Sequence, residues 1–559
     1  MTQIAARFWQ VPASNQFKFP EISDPDLSYE PIQQRPNCGI AFSGGGTVSA
    51  ALAPGFLKAL EDLGLMKNVR YISGVSGGTW GTAAYCYAID QAHRENYFGK
   101  KITSELKSQT LTDWQTADIV GSMTQACTNA LLGRLTLERA LYTHEAYTRA
   151  VGHIFLKPFD IDGTNSYFSS DKKAVDNITL RNQGLKPEDF ITLYSNEDQS
   201  QCSPYYIMNG SLLSPPTKDS SLAYEAFPFE FTPLYSGLKG NSGPDSTGET
   251  IGGYYVESYG FNTVNPTVNT DQGWVTVPEA PNKFILSSPV GTSGSALEKL
   301  LAQIEYADKL TLFLPQFNYW NPADLNEKQP TDSLRTQPYL FGDGGIAENT
   351  GISALLARKV ENVVLFITEP YDITPVSTKS CEQGQRYFGY NQMAHLFGAP
   401  YYKKNAAGDH VLVDTYQPFQ KFFKFEDYAD LQTQLVNAKK NNGPVIVTKT
   451  LEVQQNLRFG IEGGWNVNVT FVVVDTCDGF NQSLDSSVYN DGKFVPQELE
   501  NFPAICTFGQ NMQGKIPTKN DPLIQLTPAQ ANLLANQAYW MIATSDIGKS
   551  QVSKTLGSN

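Results

Sequence analysis

Between residues 37 and 90 the apolar positions alternate twice between a strand-like run and a helix-like spacing. Cys38-Gly39-Ile40-Ala41-Phe42 is a short apolar run, followed by Ser43-Gly44-Gly45-Gly46 and then by Ala50, Leu52, Phe56, Leu57 and Leu60, which fall on one side of a helix. Val69-Arg70-Tyr71-Ile72-Ser73 repeats the run, Gly74-Val75-Ser76-Gly77-Gly78 the turn, and Trp80 to Ile89 the helix. Two such units in succession predict parallel strands buried on both faces. A third unit is predicted late in the chain: Tyr339-Leu340-Phe341 as a strand, Gly342-Asp343-Gly344-Gly345 as a turn and Ile352 to Arg358 as a helix, with Val363 to Ile367 as the next strand.

The flanking sequence predicts additions to this α/β core. Residues 1–36 are polar and contain proline, ending in Arg35-Pro36, and read as an extended arm on the surface. From about 90 to 160 the spacing is helical, with Leu106, Leu111, Ile119, Leu131, Leu135 and Leu141 on recurrent faces. One large domain over 37–545 is expected, with insertions at about 90–190 and 375–460 and a polar tail at 546–559. No long linker, heptad array or solenoid repeat argues for separate units.

Composition narrows the classes. At 559 residues with 41% hydrophobic content, the chain can bury a large core. A formal net charge of −14 with no Lys/Arg-rich cluster excludes nucleic acid as an expected partner. Peripheral contact with a membrane or micelle must then be chiefly apolar. Phe419, Phe422, Phe423, Phe425 and Tyr428 are the candidate contact, with a buried cap helix as the plainer reading. Met1 to Arg7 lacks a basic-then-apolar leader, and no window nears the roughly 18 apolar residues of a span, so a cytoplasmic protein is expected. The seven cysteines (38, 86, 127, 202, 381, 477 and 506) are scattered without paired metal spacing and read as reduced structural thiols. Four N-x-S/T triplets, at Asn177, Asn209, Asn468 and Asn481, would matter only in a secreted chain. No sequence feature fixes an oligomeric state.

Gly74-Val75-Ser76-Gly77-Gly78 fits G-x-S-x-G between a strand and a helix, where a sharp turn lifts a serine hydroxyl above the sheet edge. Gly291-Thr292-Ser293-Gly294-Ser295 fits the pattern less well, since it follows Pro289, and Ser293 reads as a helix cap or pocket-wall residue. Ser43-Gly44-Gly45-Gly46 lacks the G-K-[ST] of a phosphate loop, but amides at a helix start also suit a developing oxyanion, against the bland alternative of an ordinary tight turn. His93, His144 and His153 lie in helical insertions, and His395 and His410 in polar sequence, so none stands out as a base. Asp343, at a strand end before two glycines, can reach toward Ser76, although a loop cap is the plainer role for it. An aspartate of ordinary pKa near 3.9 is a weak base, so it would need a direct hydrogen bond to the nucleophile.

Together, Ser43-Gly44-Gly45-Gly46, Gly74-Val75-Ser76-Gly77-Gly78-Thr79-Trp80 and Asp343-Gly344-Gly345 resemble the cytosolic phospholipase A₂ and fungal phospholipase B branch of the patatin-like superfamily. Phe229-Glu230-Phe231-Thr232-Pro233 and Gly291 to Ser295 extend the resemblance over most of residues 37–480. It implies a three-layer α/β/α hydrolase with a mainly parallel central sheet and inserted helical cap elements. It also implies Ser76 as nucleophile, Asp343 as base, an oxyanion hole from the glycine turn of Gly44, Gly45 and Gly46, and no metal or cofactor. Val48 stands where the family usually carries an arginine for the lipid phosphate, so weak discrimination by phosphate is expected. The expected function is hydrolysis of fatty acyl esters of lipids through an acyl-serine. Acyl transfer to an alcohol by the same residues, or lipid binding without turnover, are the alternatives.

Overall fold

The computed structural model describes residues 3–11, 17–99, 122–129, 144–196, 201–214, 225–244, 250–264, 267–269, 274–279, 283–296, 314–320, 336–368, 392–399, 401–404, 410–413, 420–441, 443–500 and 525–557, with positions 134, 135, 138 and 502. Fourteen strands form one mixed sheet: β1 (Gln3–Gln10), β2 (Cys38–Phe42), β3 (Val69–Val75), β4 (Tyr205–Ser214), β5 (Glu225–Phe231), β6 (Tyr235–Pro244), β7 (Thr250–Glu257), β8 (Thr267–Asn269), β9 (Trp274–Pro278), β10 (Gln316–Trp320), β11 (Thr336–Asp343), β12 (Asn362–Thr368), β13 (Val445–Val453) and β14 (Trp465–Val474). The main path runs β8-β9-β1-β7-β6-β5-β4-β3-β2-β12-β14-β13, with β10 and β11 branching from β4.

Within this sheet, parallel pairing is confined to β4-β3-β2-β12-β14; the described strands beyond it are antiparallel. β2, β3, β4 and β12 are buried along nearly their whole length on both faces, as is the second half of β14. On β2, Gly39 faces Leu355 at close range: a Cβ would lie 3.1 Å from the Leu355 methyls. Its neighbours point the other way. The Cys38 thiol donates to the Thr555 carbonyl, and Phe42 lies 4.9 Å from Phe366, whose ring stacks at 4.2 Å on Phe56 of helix α1 (Gly46–Asp62). The chain is therefore an α/β protein with helices on both sides of a large mixed sheet.

The third unit predicted from the sequence has a different geometry. β11 runs antiparallel to β4, so Asp343 ends a strand that arrives from the opposite direction to β3. β5 occupies one edge of β4; β3 pairs with Tyr205–Asn209 and β11 with Gly210–Leu213, so these two share the other edge. They meet end to end. The sequence shows a strand and a turn but not the direction of pairing, which β4 decides.

Several segments differ from expectation. The first residues are not a surface arm: β1 pairs with both β9 and β7, with Ile4 and Ala6 buried. Further along, Glu21 is buried against Arg358, which also holds Glu230. The C-terminal stretch is a helix, Asp546–Gly557, with Val552 and Leu556 in the core rather than a polar tail. β13 lies within the stretch read as an insertion at 375–460, yet belongs to the main sheet. In the 90–190 stretch, helices such as Ala146–Phe155 are joined by a small parallel sheet of Tyr167–Ser169 and Phe190–Thr192. Leu106, Leu111, Ile119, Leu131 and Leu141 lie outside the described residues, as do Phe419, Cys381 and Cys506. Phe422 and Phe423 are fully buried, packed at 5.0 Å on Phe459 and 5.3 Å on Phe397, so they are core residues and not a lipid contact. Among the described residues, no helix is long and apolar enough to cross a membrane.

Candidate active site

β3 delivers Ser76 into a turn with φ 52° and ψ −125°, after which helix α2 (Gly77–Cys86) begins. A non-glycine residue in this region costs about 1–3 kcal/mol and persists where the surroundings hold it. The turn is tight because the helix start passes against the glycine loop: a Cβ on Gly77 would lie 1.9 Å from the Gly46 carbonyl oxygen. Only glycine permits that approach.

Asp343 caps the short helix Gly344–Ala347, its Oδ1 accepting from the Gly345 amide at 2.6 Å. Its Oδ2 accepts from the Ser76 hydroxyl at 2.8 Å. Both residues are buried. The two roles weighed for Asp343, loop cap and partner of the serine, are thus filled by its two oxygens at once.

The glycine turn is fixed by Ser43, whose Oγ accepts from the Thr368 amide at 2.8 Å while its carbonyl accepts from Ser49 Oγ at 2.7 Å. The Gly44 amide donates to the Asn349 carbonyl at 3.0 Å and is therefore already bonded within the protein, unlike the free donor expected of it. Gly45 and Gly46, both at positive φ, precede the first intrahelical donor of α1 and have no helix carbonyl to bond. The helix start adds a favourable dipole for negative charge. Of the three glycines singled out in the sequence, Gly44 is bonded within the loop, and Gly45 and Gly46 stand at the helix start with amides that no helix carbonyl takes.

Ser293 is neither an N-cap nor a pocket wall. It ends helix α4 (Ser287–Ser293), placed after the insertion helix α3 (Ala146–Phe155) in the chain, and its Oγ accepts from the Ser76 amide at 2.9 Å. Asn349, which no sequence pattern marks, and Asn209, marked only as the start of an N-x-S/T triplet, also lie at the site. Asn209 Nδ2 donates to Ser73 Oγ at 2.9 Å and the Gly74 carbonyl at 2.8 Å, which also removes this asparagine from the exposed glycosylation acceptors. Asn349 Oδ1 occupies the space beside both Gly44 and Gly345, 2.2 Å from where either Cβ would be. His93 binds Asp90 and His144 lies 3.1 Å from the Leu314 carbonyl, so neither is directed at Ser76. Val48 is fully buried in the first turn of α1.

A serine on a strained strand-to-helix turn, a carboxylate in contact with it and a helix start alongside are thus brought together in an α/β fold. Residues 40–194, which include the glycine turn and Ser76, match the Patatin-like phospholipase family model. A 49-residue stretch is 43% identical to the putative meiotic phospholipase SPO1 of Saccharomyces cerevisiae, covering 9% of this chain and 8% of that protein. The chain is also similar to solved structures of human GIVD cytosolic phospholipase A2. One matches at 14% identity and TM-score 0.40, covering 95% of this chain and 61% of the other. The complex with methyl gamma-linolenyl fluorophosphonate inhibitor and terbium chloride matches at 12% identity and TM-score 0.35, covering 96% and 61%. The chain thus spans about three-fifths of the length of the solved structures it resembles.

Proposed function

We propose that the chain is a serine lipid acyl hydrolase of the phospholipase A or lysophospholipase kind, acting through a Ser76/Asp343 dyad. The observation that carries this reading is the 2.8 Å hydrogen bond from Ser76 Oγ to Asp343 Oδ2 at a strained elbow. The patatin-like phospholipase match over residues 40–194, which hold Ser76 but not Asp343, supports a lipid ester as substrate.

In the proposed reaction Asp343 takes the hydroxyl proton as Ser76 Oγ bonds to the ester carbonyl carbon, and the carbonyl π electrons move to oxygen. The Gly45 and Gly46 amides stabilise that oxyanion. Collapse breaks the bond to the alcohol, which leaves with the proton from Asp343. Water then gives a proton to Asp343, its oxygen attacks the acyl-serine, and Ser76 recovers its proton as the fatty acid departs. Val48, standing where the family usually carries an arginine for the lipid phosphate, supports weak headgroup discrimination.

The test is a panel of phospholipids, lysophospholipids and neutral acyl glycerols, with products read by mass spectrometry, alongside fluorophosphonate labelling of the wild type and Ser76→Ala. Release of fatty acid, labelling only when Ser76 is present, and neutral esters within about tenfold of phospholipids are expected, tenfold being about 1.4 kcal/mol. Absence of labelling at Ser76 in the folded protein, with no fatty acid released, would favour a lipid-binding protein instead.

A further inference from the structure

We propose that the segment Gly291–Ser295 is a clamp that sets Ser76 and Asp343 at reacting distance, with Ser293 as its positioning residue. This rests on reading Ser76 and Asp343 as nucleophile and base.

The Ser293 hydroxyl is fully used. Its 2.6 Å neighbour, the Asn209 carbonyl, can only accept, so the Ser293 proton must point there. That leaves the oxygen to accept from the Ser76 amide at 2.9 Å and from Thr79 Oγ1 at 2.8 Å. One buried hydroxyl therefore joins three elements: the nucleophile turn, the helix after it, and β4. The bond falls on the Ser76 amide, not its hydroxyl, so Ser293 acts on the conformation of the nucleophile rather than on substrate.

Two residues further on, the Ser295 carbonyl accepts from the Asp343 amide at 3.1 Å. A single short stretch thus holds the backbone of both members of the dyad, which come from strands that meet head on and share no hydrogen bond with each other. The clamp is itself fixed from behind. Tyr147 of α3 donates to the Gly294 carbonyl at 2.5 Å, and burial first, then the Asp343 charge, hold its phenol well above its ordinary pKa, so it stays a donor. Gly294 lies against Trp80, where a Cβ would come 2.4 Å from the ring, and Gly291 lies as close to the Thr148 backbone. Helix α3, in the inserted region, thereby braces the dyad from outside the central sheet.

The test uses the full chain with a fluorophosphonate probe and a soluble p-nitrophenyl ester. Labelling stoichiometry counts correctly folded sites, while the rate per labelled site reports how well the dyad is placed. Ser293→Ala should label to full stoichiometry about tenfold to a hundredfold more slowly, with kcat reduced alike and KM nearly unchanged, since small misplacements at a reacting centre cost about that much. Wild-type rate per site would overturn the proposal, as would a fall in stoichiometry at unchanged rate, which is the mark of a merely structural role. Should Ser293→Ala fail to fold, Tyr147→Phe decides by the same two readings, with a severalfold slower rate expected and a wild-type rate overturning it. Ser76→Ala run in parallel separates the premises: persistent labelling there defeats the dyad reading, whereas its loss beside a wild-type rate in Ser293→Ala defeats the clamp alone.

Discussion

Asp343→Asn isolates the base from the shape of the site. The carboxylate uses both oxygens, Oδ2 accepting from Ser76 and Oδ1 from the Gly345 amide. An asparagine has one acceptor branch and one donor branch, so it can serve only one of these donors. The Gly345 amide is fixed by the backbone, whereas the Ser76 hydroxyl can rotate. The amide oxygen is therefore expected to stay with Gly345, and the NH₂ to face Ser76 Oγ and donate to it. The serine then has no group to take its proton. Loss of a positioned base is worth about 10²–10⁴-fold, and a dyad acting as a unit should lose 10³-fold or more, about 4 kcal/mol of barrier. Stability should change little, because a charge-assisted bond of about 1.5–3 kcal/mol is lost while a buried charge is also removed. The assay is hydrolysis of a soluble ester with a thermal melt on the same sample, for Asp343→Asn, Ser76→Ala and the double variant. The double variant should be little slower than the slower single one. More than about a tenth of wild-type activity in folded Asp343→Asn would refute the reasoning, because some other group would then be taking the proton.

The remaining predictions follow from burial and position. His395→Gln should keep the labelling rate within about tenfold, since a positioned acid–base group contributes about 10²–10⁴-fold; a larger loss at full stoichiometry would argue for a histidine in the reaction. Phe423→Ala should cost about 3–5 kcal/mol of stability, seen as a lowered Tm with activity on soluble and vesicle substrates falling together; lost vesicle binding at unchanged Tm would restore this stretch as a lipid contact. Val48→Arg should lower Tm and yield instead of raising phospholipid preference, because Val48 is fully buried and a guanidinium there has to give up its water. A folded Val48→Arg protein with a higher kcat/KM ratio for phospholipid over neutral ester would show that the side chain finds the headgroup after all.

The local parts were legible along the chain. The apolar runs at Cys38–Phe42, Val69–Ser73 and Val363–Ile367 form β2, β3 and β12, because a run apolar on both faces has no stable place except inside a covered sheet. The turns that carry Ser76 and Asp343 were legible for a similar reason: glycines flank positions where a Cβ meets backbone at about 2 Å, and such positions restrict sequence strongly. Other features came only with tertiary structure. Polarity along residues 1–36 suggests a surface arm, yet pairing partners near residues 254–256 and 274–278 draw Gln3–Gln10 into the sheet. Phe422 and Phe423 carry the same hydrophobicity whether they face lipid or core, and only packing on Phe459 and Phe397 distinguishes the two. Above all, periodicity is blind to the direction in which a strand enters. That β11 runs against β3 along one edge of β4, and that Ser293, 217 residues from Ser76, holds the amide of that serine, are consequences of long-range pairing that no local pattern encodes.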